Sequence, residues 1–328
     1  MQEGTRLSSG ARKLVHACAG VKPGEKVLVV TDTGRSLQVA DAVCQASLEA
    51  GADPVKMVMQ PGTHPGAEVS DMVAAAMKEA DVIFGLTTSS LYHTRARLEA
   101  CAAGSRLIAV TELTEETLST GGIEADFEAQ RPVVQDLARK VSRAQQVRLT
   151  TPGGTDLHAL TGGRAACEFT GMAHEKGQAT GVPDIEVALA PLEGTTRGTV
   201  VVDASATYLG LVRFPIRIVL LDGRAVEITG GEEAEQLRDL IERQEDSNCW
   251  NVAEIAVGLN PCSRVTGRII EDEGTLGTCH VALGNNLTLG GRNRARLHID
   301  LVMWRPTLFA DGVPIFTAEP SRAGPDFR

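Results

Sequence analysis

Hydrophobic positions along the chain follow two rhythms, and the change between them falls near residue 145. Before it, short apolar runs alternate with stretches whose apolar residues recur at helical spacing. Lys26 to Thr31, Asp53 to Gln60, Asp81 to Leu86 and Arg106 to Val110 read as strands. Residues 36–50, 67–80 and 90–103 read as helices, the first ended by Gly51. Continuous apolar strands separated by amphipathic helices predict a parallel sheet covered on both faces. From 146 onward, turn-forming segments divide the apolar runs: Thr151-Pro152-Gly153-Gly154, Leu221-Asp222-Gly223-Arg224 and Ala310-Asp311-Gly312-Val313. These predict hairpins, with one helix over 231–245. The expectation is an α/β N-terminal domain with a mostly parallel sheet, residues 1–145. A β-rich α+β C-terminal domain, residues 146–328, follows it, its tail loosely held from Ser321.

Polar residues interrupt the apolar strands of the second part in a regular way. In Arg296-Leu297-His298-Ile299-Asp300-Leu301-Val302, the imidazole and the carboxylate stand two residues apart and project to one side. Thr278 to Leu283 carries His280, Val252 to Val257 carries Glu254, and Asp184 to Leu189 carries Glu186. Burying such groups singly is costly, and a shared metal ion is the simplest reason to gather them. Glu254, His280, His298 and Asp300 are therefore the candidate metal ligands. Glu186 is a fifth member of the set or a catalytic carboxylate, its ordinary alternative being a surface-strand glutamate. Imidazole and carboxylate donors without thiolates suit Zn, Mn, Co or Fe, as one or two ions. His93 follows the Asp81–Leu86 run, at the strand edge where open α/β sheets bind ligands, and would face a cleft between the domains. Glu168 is a further candidate for acid or base work. His16, His64, His158 and His174 have no comparable setting.

Composition narrows the function classes. A net charge of −10 argues against nucleic-acid or anionic-membrane binding, and 3% aromatic residues argue against a base-stacking surface. The 7 cysteines form no C-x-x-C pair, which predicts reduced, mostly buried thiols. Thr31 to Ser36 contains one glycine where a dinucleotide fingerprint needs three, so no nucleotide cofactor is expected. The N-terminus has no apolar signal core, and no run approaches the ~18 residues of a membrane span, which predicts a cytoplasmic protein.

These motifs resemble the aminopeptidase T/aminopeptidase S family of metallopeptidases, a superfamily that also contains the 2,5-dihydroxypyridine 5,6-dioxygenases. The matching elements are Asn251 to Gly258, Gly277 to Gly284, His298-Ile299-Asp300, Pro183 to Val187 and Ser90 to Arg97. The resemblance implies a homodimer and a metal in the C-terminal domain. Among the peptidases, a pair of metals is held by glutamates, histidines and an aspartate, a set to which Glu186, Glu254, His280, His298 and Asp300 correspond. Two positions depart: Leu287 stands where the peptidases have an active-site tyrosine, and Thr275 where they have a glutamate. The dioxygenase branch holds one Fe(II) with two histidines and an aspartate. His298 and Asp300 fall on that set, while Glu254 stands where that branch has its other ligand histidine. His93 and Glu168 fall where it has a substrate-contacting histidine and an active-site glutamate.

Since the ligand set follows the peptidases more closely, the expected function is a metal-dependent hydrolase of an amide bond. It would act on a short peptide or a small non-peptide amide, with Glu186, Glu168 and His93 in catalytic roles. The alternative is a mononuclear non-heme Fe(II) dioxygenase opening a hydroxylated pyridine or related aromatic ring. A non-enzymatic binding or scaffold protein is the third reading.

Overall fold

In the computed structural model, residues 2–62 and 67–318 are described. His64 and the tail from Ser321 lie outside them. The chain divides into two compact units. The first comprises the residues up to Ala129 together with Phe169–Asp184, and the second comprises Gln130–Glu168 and the chain from Ile185 onward. The sequence places one cut at 145/146, whereas the chain crosses between units three times.

The first unit is built on a five-stranded parallel sheet, in the order Asp53–Met59, Lys26–Asp32, Val82–Leu86, Arg106–Ala109, Ala179–Gly181. Its central strand Val82–Leu86 is buried at every position, as a strand covered on both faces must be. Helices Leu37–Glu49, Asp71–Glu79 and Arg95–Ala103 follow the first three strands in sequence. Ser70 and Thr94 cap the last two by accepting from Val73 N and Arg97 N. Leu28, Val30, Val73, Met77, Ile83, Leu91 and Leu107 pack as one core cluster. The fifth strand, Ala179–Gly181, arrives from beyond the first hairpins of the second unit and pairs with Arg106–Ala109.

Two long helices were not legible in the sequence pattern. Gln2–Lys13 runs into a π-helical turn, Leu14–Cys18, and Phe127–Arg143 contains Pro132. Gly10 has a packing reason. A Cβ built there would lie 1.7 Å from the Leu118 carbonyl oxygen, so the helix can approach that backbone only without a side chain.

The second unit contains two seven-stranded sheets. One is antiparallel throughout, in the order Arg224–Thr229, Ile216–Leu221, Arg197–Val202, Asp156–Leu160, Gln146–Thr150, Thr307–Ala310, Val313–Thr317. Its two Asp-Gly hairpins form as read from the sequence: Asp222 and Gly223 take φ 48° and 75°, and Asp311 and Gly312 take 48° and 84°. The other sheet runs Gly210–Leu211, Ser205–Ala206, His298–Trp304, Thr278–Gly284, Val252–Gly258, Glu186–Leu189, Cys167–Phe169. The expected helix is Glu232–Glu242. The fold class is thus the expected one, a parallel α/β unit and a β-rich unit. All seven cysteines are free, four of them buried, and no helix among the described residues is long and apolar enough to cross a membrane.

Gly10→Ala is expected to destabilise the first unit by about 1–3 kcal/mol, because the obstructing atom is backbone and cannot swing aside. A denaturant midpoint unchanged from the wild type would show that the helix shifts freely.

Candidate metal centre

Register explains how four separated stretches deliver polar side chains to one place. In the second sheet, Ala282 faces Glu254 on one side and Asp300 on the other, Gly284 faces His298, and Gly258 faces Glu186. Residues paired across an antiparallel ladder share a face, as do residues two apart on a strand. Glu186, Glu254, His280, His298 and Asp300 therefore project from the same side. The residues between them there are Ala256, Ala282, Gly258 and Gly284, whose small size leaves room for the polar groups. On the opposite face Ile255, Val257, Val281, Leu283, Ile299 and Leu301 are all buried. A β-bulge falls between Val252 and Glu254, immediately before the first carboxylate of this strand.

The five side chains converge. His298 Nε2 lies 3.0 Å from Asp300 Oδ1 and 3.1 Å from Glu254 Oε2. Donor atoms at right angles around one ion, each ~2.1 Å from it, stand about 3.0 Å apart, so these separations suit a single cation. His280 Nε2 lies 3.6 Å from Glu254 Oε1 and 3.9 Å from Asp300 Oδ1, while its Nδ1 lies 3.6 Å from Glu186 Oε2. Two overlapping groups able to hold a metal ion result: Glu186, Glu254 and His280, and Glu254, His298 and Asp300. Both contain Glu254.

The surroundings fix these candidate ligands. His298 Nδ1 lies 2.7 Å from the Asn285 carbonyl oxygen, an atom that can only accept, so Nδ1 carries a proton and Nε2 is turned toward the carboxylates. Asp300 is held by Thr207: its amide donates to Thr207 Oγ1 at 2.9 Å, and that hydroxyl lies 3.3 Å from Asp300 Oδ2. Burial alone would raise the Glu254 pKa, but hydrogen bonds from His280 and His298 outweigh it and hold the group at about 2. For His298, burial would lower the pKa, and Asp300 followed by Glu254 instead raises it well above the usual histidine value. Burial, with a smaller push from Glu254, raises the Cys167 thiol to about 12, so it remains a neutral thiol.

Of the residues singled out in the sequence, Glu186, Glu254, His280, His298 and Asp300 come together. Glu168 is exposed on Cys167–Phe169, the outermost strand of the same sheet. His93 belongs to the first unit, half-buried before Arg95–Ala103, with its ring edge-on to Tyr92 at 5.2 Å. Neither Thr207 nor Asn285 is a candidate site residue by sequence, although Gly284-Asn285-Asn286 after the His280 strand reads as a loop able to approach a ligand closely. Thr207 lies in the turn after the short strand Ser205–Ala206, remote in sequence, and Asn285 acts through its backbone carbonyl, which no side-chain pattern marks.

A model of the family described as NicX, 2,5-dihydroxypyridine 5,6-dioxygenase, matches residues 8–319. The 2,5-dihydroxypyridine 5,6-dioxygenase of Pseudomonas putida KT2440 is 25% identical over 281 residues, 78% of this chain and 79% of that one. The solved structure of the 2,5-dihydroxypyridine dioxygenase from Pseudomonas putida KT2440 matches with a TM-score of 0.82 at 21% identity, covering 95% of both chains. Wild-type AmpT from Thermus thermophilus matches with a TM-score of 0.70 at 16% identity, covering 96% of this chain and 98% of that one. At these identities the two structures establish the shared fold.

These matches correct the expectation of an amide-cleaving metallohydrolase, or metalloprotease, of aminopeptidase type. The family model carries a dioxygenase description over nearly the whole chain. The departures noted in the sequence have a structural counterpart. Thr275 is buried, and its hydroxyl donates to the Glu271 carbonyl at 2.9 Å, while Leu287 begins a short 3-10 turn. Neither supplies the acidic ligand or the phenol that the peptidases have there.

Thr207→Val is expected to weaken Co(II) binding about 10–100-fold, the usual cost of losing an outer hydrogen-bond partner. Isothermal titration calorimetry reads this directly, and an unchanged affinity would remove Thr207 from the site. Proton linkage gives a second prediction. With its pKa raised, His298 keeps a proton at Nε2 at neutral pH in the metal-free protein, and an entering cation must displace it. Co(II) affinity should therefore rise about tenfold per pH unit until the pH passes the His298 pKa. Titrations in buffers of different ionisation heat should show about one proton released per ion; no release would mean that His298 is not displaced.

Proposed function

The chain belongs to the 2,5-dihydroxypyridine 5,6-dioxygenase family, and from that membership we propose that it is a mononuclear non-heme Fe(II) dioxygenase opening the ring of a hydroxylated pyridine or related aromatic. The observation that carries this reading is the family match over residues 8–319, and the convergence of His298 Nε2 on Asp300 and Glu254 at 3.0 and 3.1 Å, within a buried set of nitrogen and oxygen donors, supplies a place for the metal. Such a set fits Fe(II) by its chemistry. His280, His298 and Asp300 supply a two-histidine, one-carboxylate face, and Glu254 adds a second carboxylate.

When bound, Fe(II) supplies the one-electron chemistry that allows dioxygen to react with an aromatic ring. The protein's own groups do the rest. Glu254, held at about 2, stays ionised at any working pH and offsets the charge of the ion. The Asn285 carbonyl keeps His298 in the tautomer whose Nε2 faces the metal position. Glu186, whose Oε2 lies 3.6 Å from His280 Nδ1, takes the proton that a ring hydroxyl gives up on binding. The assignment of His93 and Glu168 to substrate handling rests on the resemblance alone.

Anaerobic loading with Fe(II), followed by addition of O2 and a panel of hydroxypyridines and aminophenols, tests the reading. The expected result is loss of the ring chromophore with one O2 consumed per ring. His298→Ala should lower the rate by more than the ~10–100-fold that follows loss of an outer partner. Absence of oxygen uptake across the panel by the iron-loaded protein would overturn the proposal.

A further inference from the structure

The loop that presents the Asn285 carbonyl to His298 is held by a polar network that reaches well away from the metal ligands. Asn286 is fully buried, and its Oδ1 accepts from Asn293 N at 2.8 Å while its Nδ2 donates to Glu193 Oε1 at 3.1 Å. Its own amide donates to the Asn293 carbonyl at 3.0 Å, which closes the loop on itself. Asn293 Nδ2 in turn donates to the Gly284 carbonyl at 2.6 Å, and Asn293 Oδ1 accepts from Asn251 Nδ2 at 2.8 Å. Gly291 completes the fit, since a Cβ there would lie 2.1 Å from Asn286 Cγ.

The far end of this network is Glu193, which follows the strand that carries Glu186. Its carboxylate accepts from Asn286, from Arg292 N at 2.8 Å, and from Arg164 Nη2 at 2.5 Å. Burial would raise its pKa, but Arg164, Arg292 and Asn286 together bring it down to about 2. The chemistry of the partners dictates the residue types. A backbone N–H on one side of Asn286 needs an acceptor, and a carboxylate on the other needs a donor, so the amide fits in one orientation only. An aspartate at 286 would oppose the carboxylate of Glu193.

From this we infer that Glu193 and Asn286 are positioning residues for the metal centre: they set the Asn285 carbonyl, and through it the direction of the His298 imidazole. The inference rests on the metal reading of the site, but half of its test does not. Asn286→Asp should weaken Co(II) binding ten- to a hundredfold and alter the visible absorption of the bound Co(II). Adding Glu193→Gln should restore most of the affinity and the spectrum, because the glutamine amide can donate to the new carboxylate. Val200→Ala, a cavity in the other sheet of the same unit, controls for lost stability and should leave both readouts at wild-type values.

The metal-independent half uses the metal-free protein. The hydrogen-bonded His298 Nδ1 proton should appear downfield in imidazole NMR spectra of the wild type and of the double variant, and be lost or shifted in Asn286→Asp. If Asn286→Asp does not fold, Asn286→Ser takes its place with the same expectation. Wild-type Co(II) affinity and spectrum in the single variant, or an unmoved Nδ1 resonance, would overturn the inference. Wild-type protein that binds no Co(II) would sink the metal reading, and the Nδ1 resonance would still decide the positioning role.

Discussion

Three carboxylates and two imidazoles share one buried face of an antiparallel sheet, and the negative charge gathered there has to be compensated. Glu186, Glu254 and His280 are each at most 4% exposed, too little for water to do it. A proton on His298 compensates in part, which is why its pKa rises while that of Glu254 falls. A divalent cation would complete the balance. Much of the surrounding structure can be read as a consequence. Alanines and glycines occupy the same face, Thr207 and the Asn285 carbonyl hold the ligands, and the outer face of the strands carries the apolar packing.

The same constraint explains why the ligands alone pointed to the wrong reaction. A cluster of glutamates, histidines and an aspartate reports that a cation is held; what the cation is used for depends on the groups around it. Position by position, Glu254 and His280 follow the peptidases, and this favoured a hydrolase. The residues that would have completed that chemistry are missing, since position 275 holds a buried threonine tied to the Glu271 carbonyl and position 287 a leucine. Family membership rests on the chain as a whole, from residue 8 to residue 319, and so carries more than a handful of ligands.

What could be read from the sequence was whatever depends on local period. The Glu254, His280 and His298 strands announced themselves by alternation, and the Asp222-Gly223 and Asp311-Gly312 turns by residue types that tolerate positive φ. The Phe127–Arg143 helix was hidden by Pro132, and the Gln2–Lys13 helix by glycines and serines that ordinarily mark loops. At the site, five polar side chains could be gathered because they interrupt otherwise apolar strands, His298 and Asp300 sharing one. Thr207, Asn286 and Glu193 could not, because their importance comes from partners remote in the chain. Hydroxyls, amides and exposed carboxylates are common, and only three-dimensional pairing singles out these three.

The strand Ala179–Gly181 gives the chain an order of assembly. The parallel sheet of the first unit needs it to cover Arg106–Ala109, yet the residues that supply it are made only after Gln146–Thr150 and Asp156–Leu160 have begun another sheet. On the ribosome the first unit therefore has four of its strands before the fifth emerges, and the Arg106–Ala109 edge waits unpaired until then. Completion of the first sheet thus follows the start of the second unit: a nascent chain that stalled before residue 179 would lack the last strand of the one and most strands of the other.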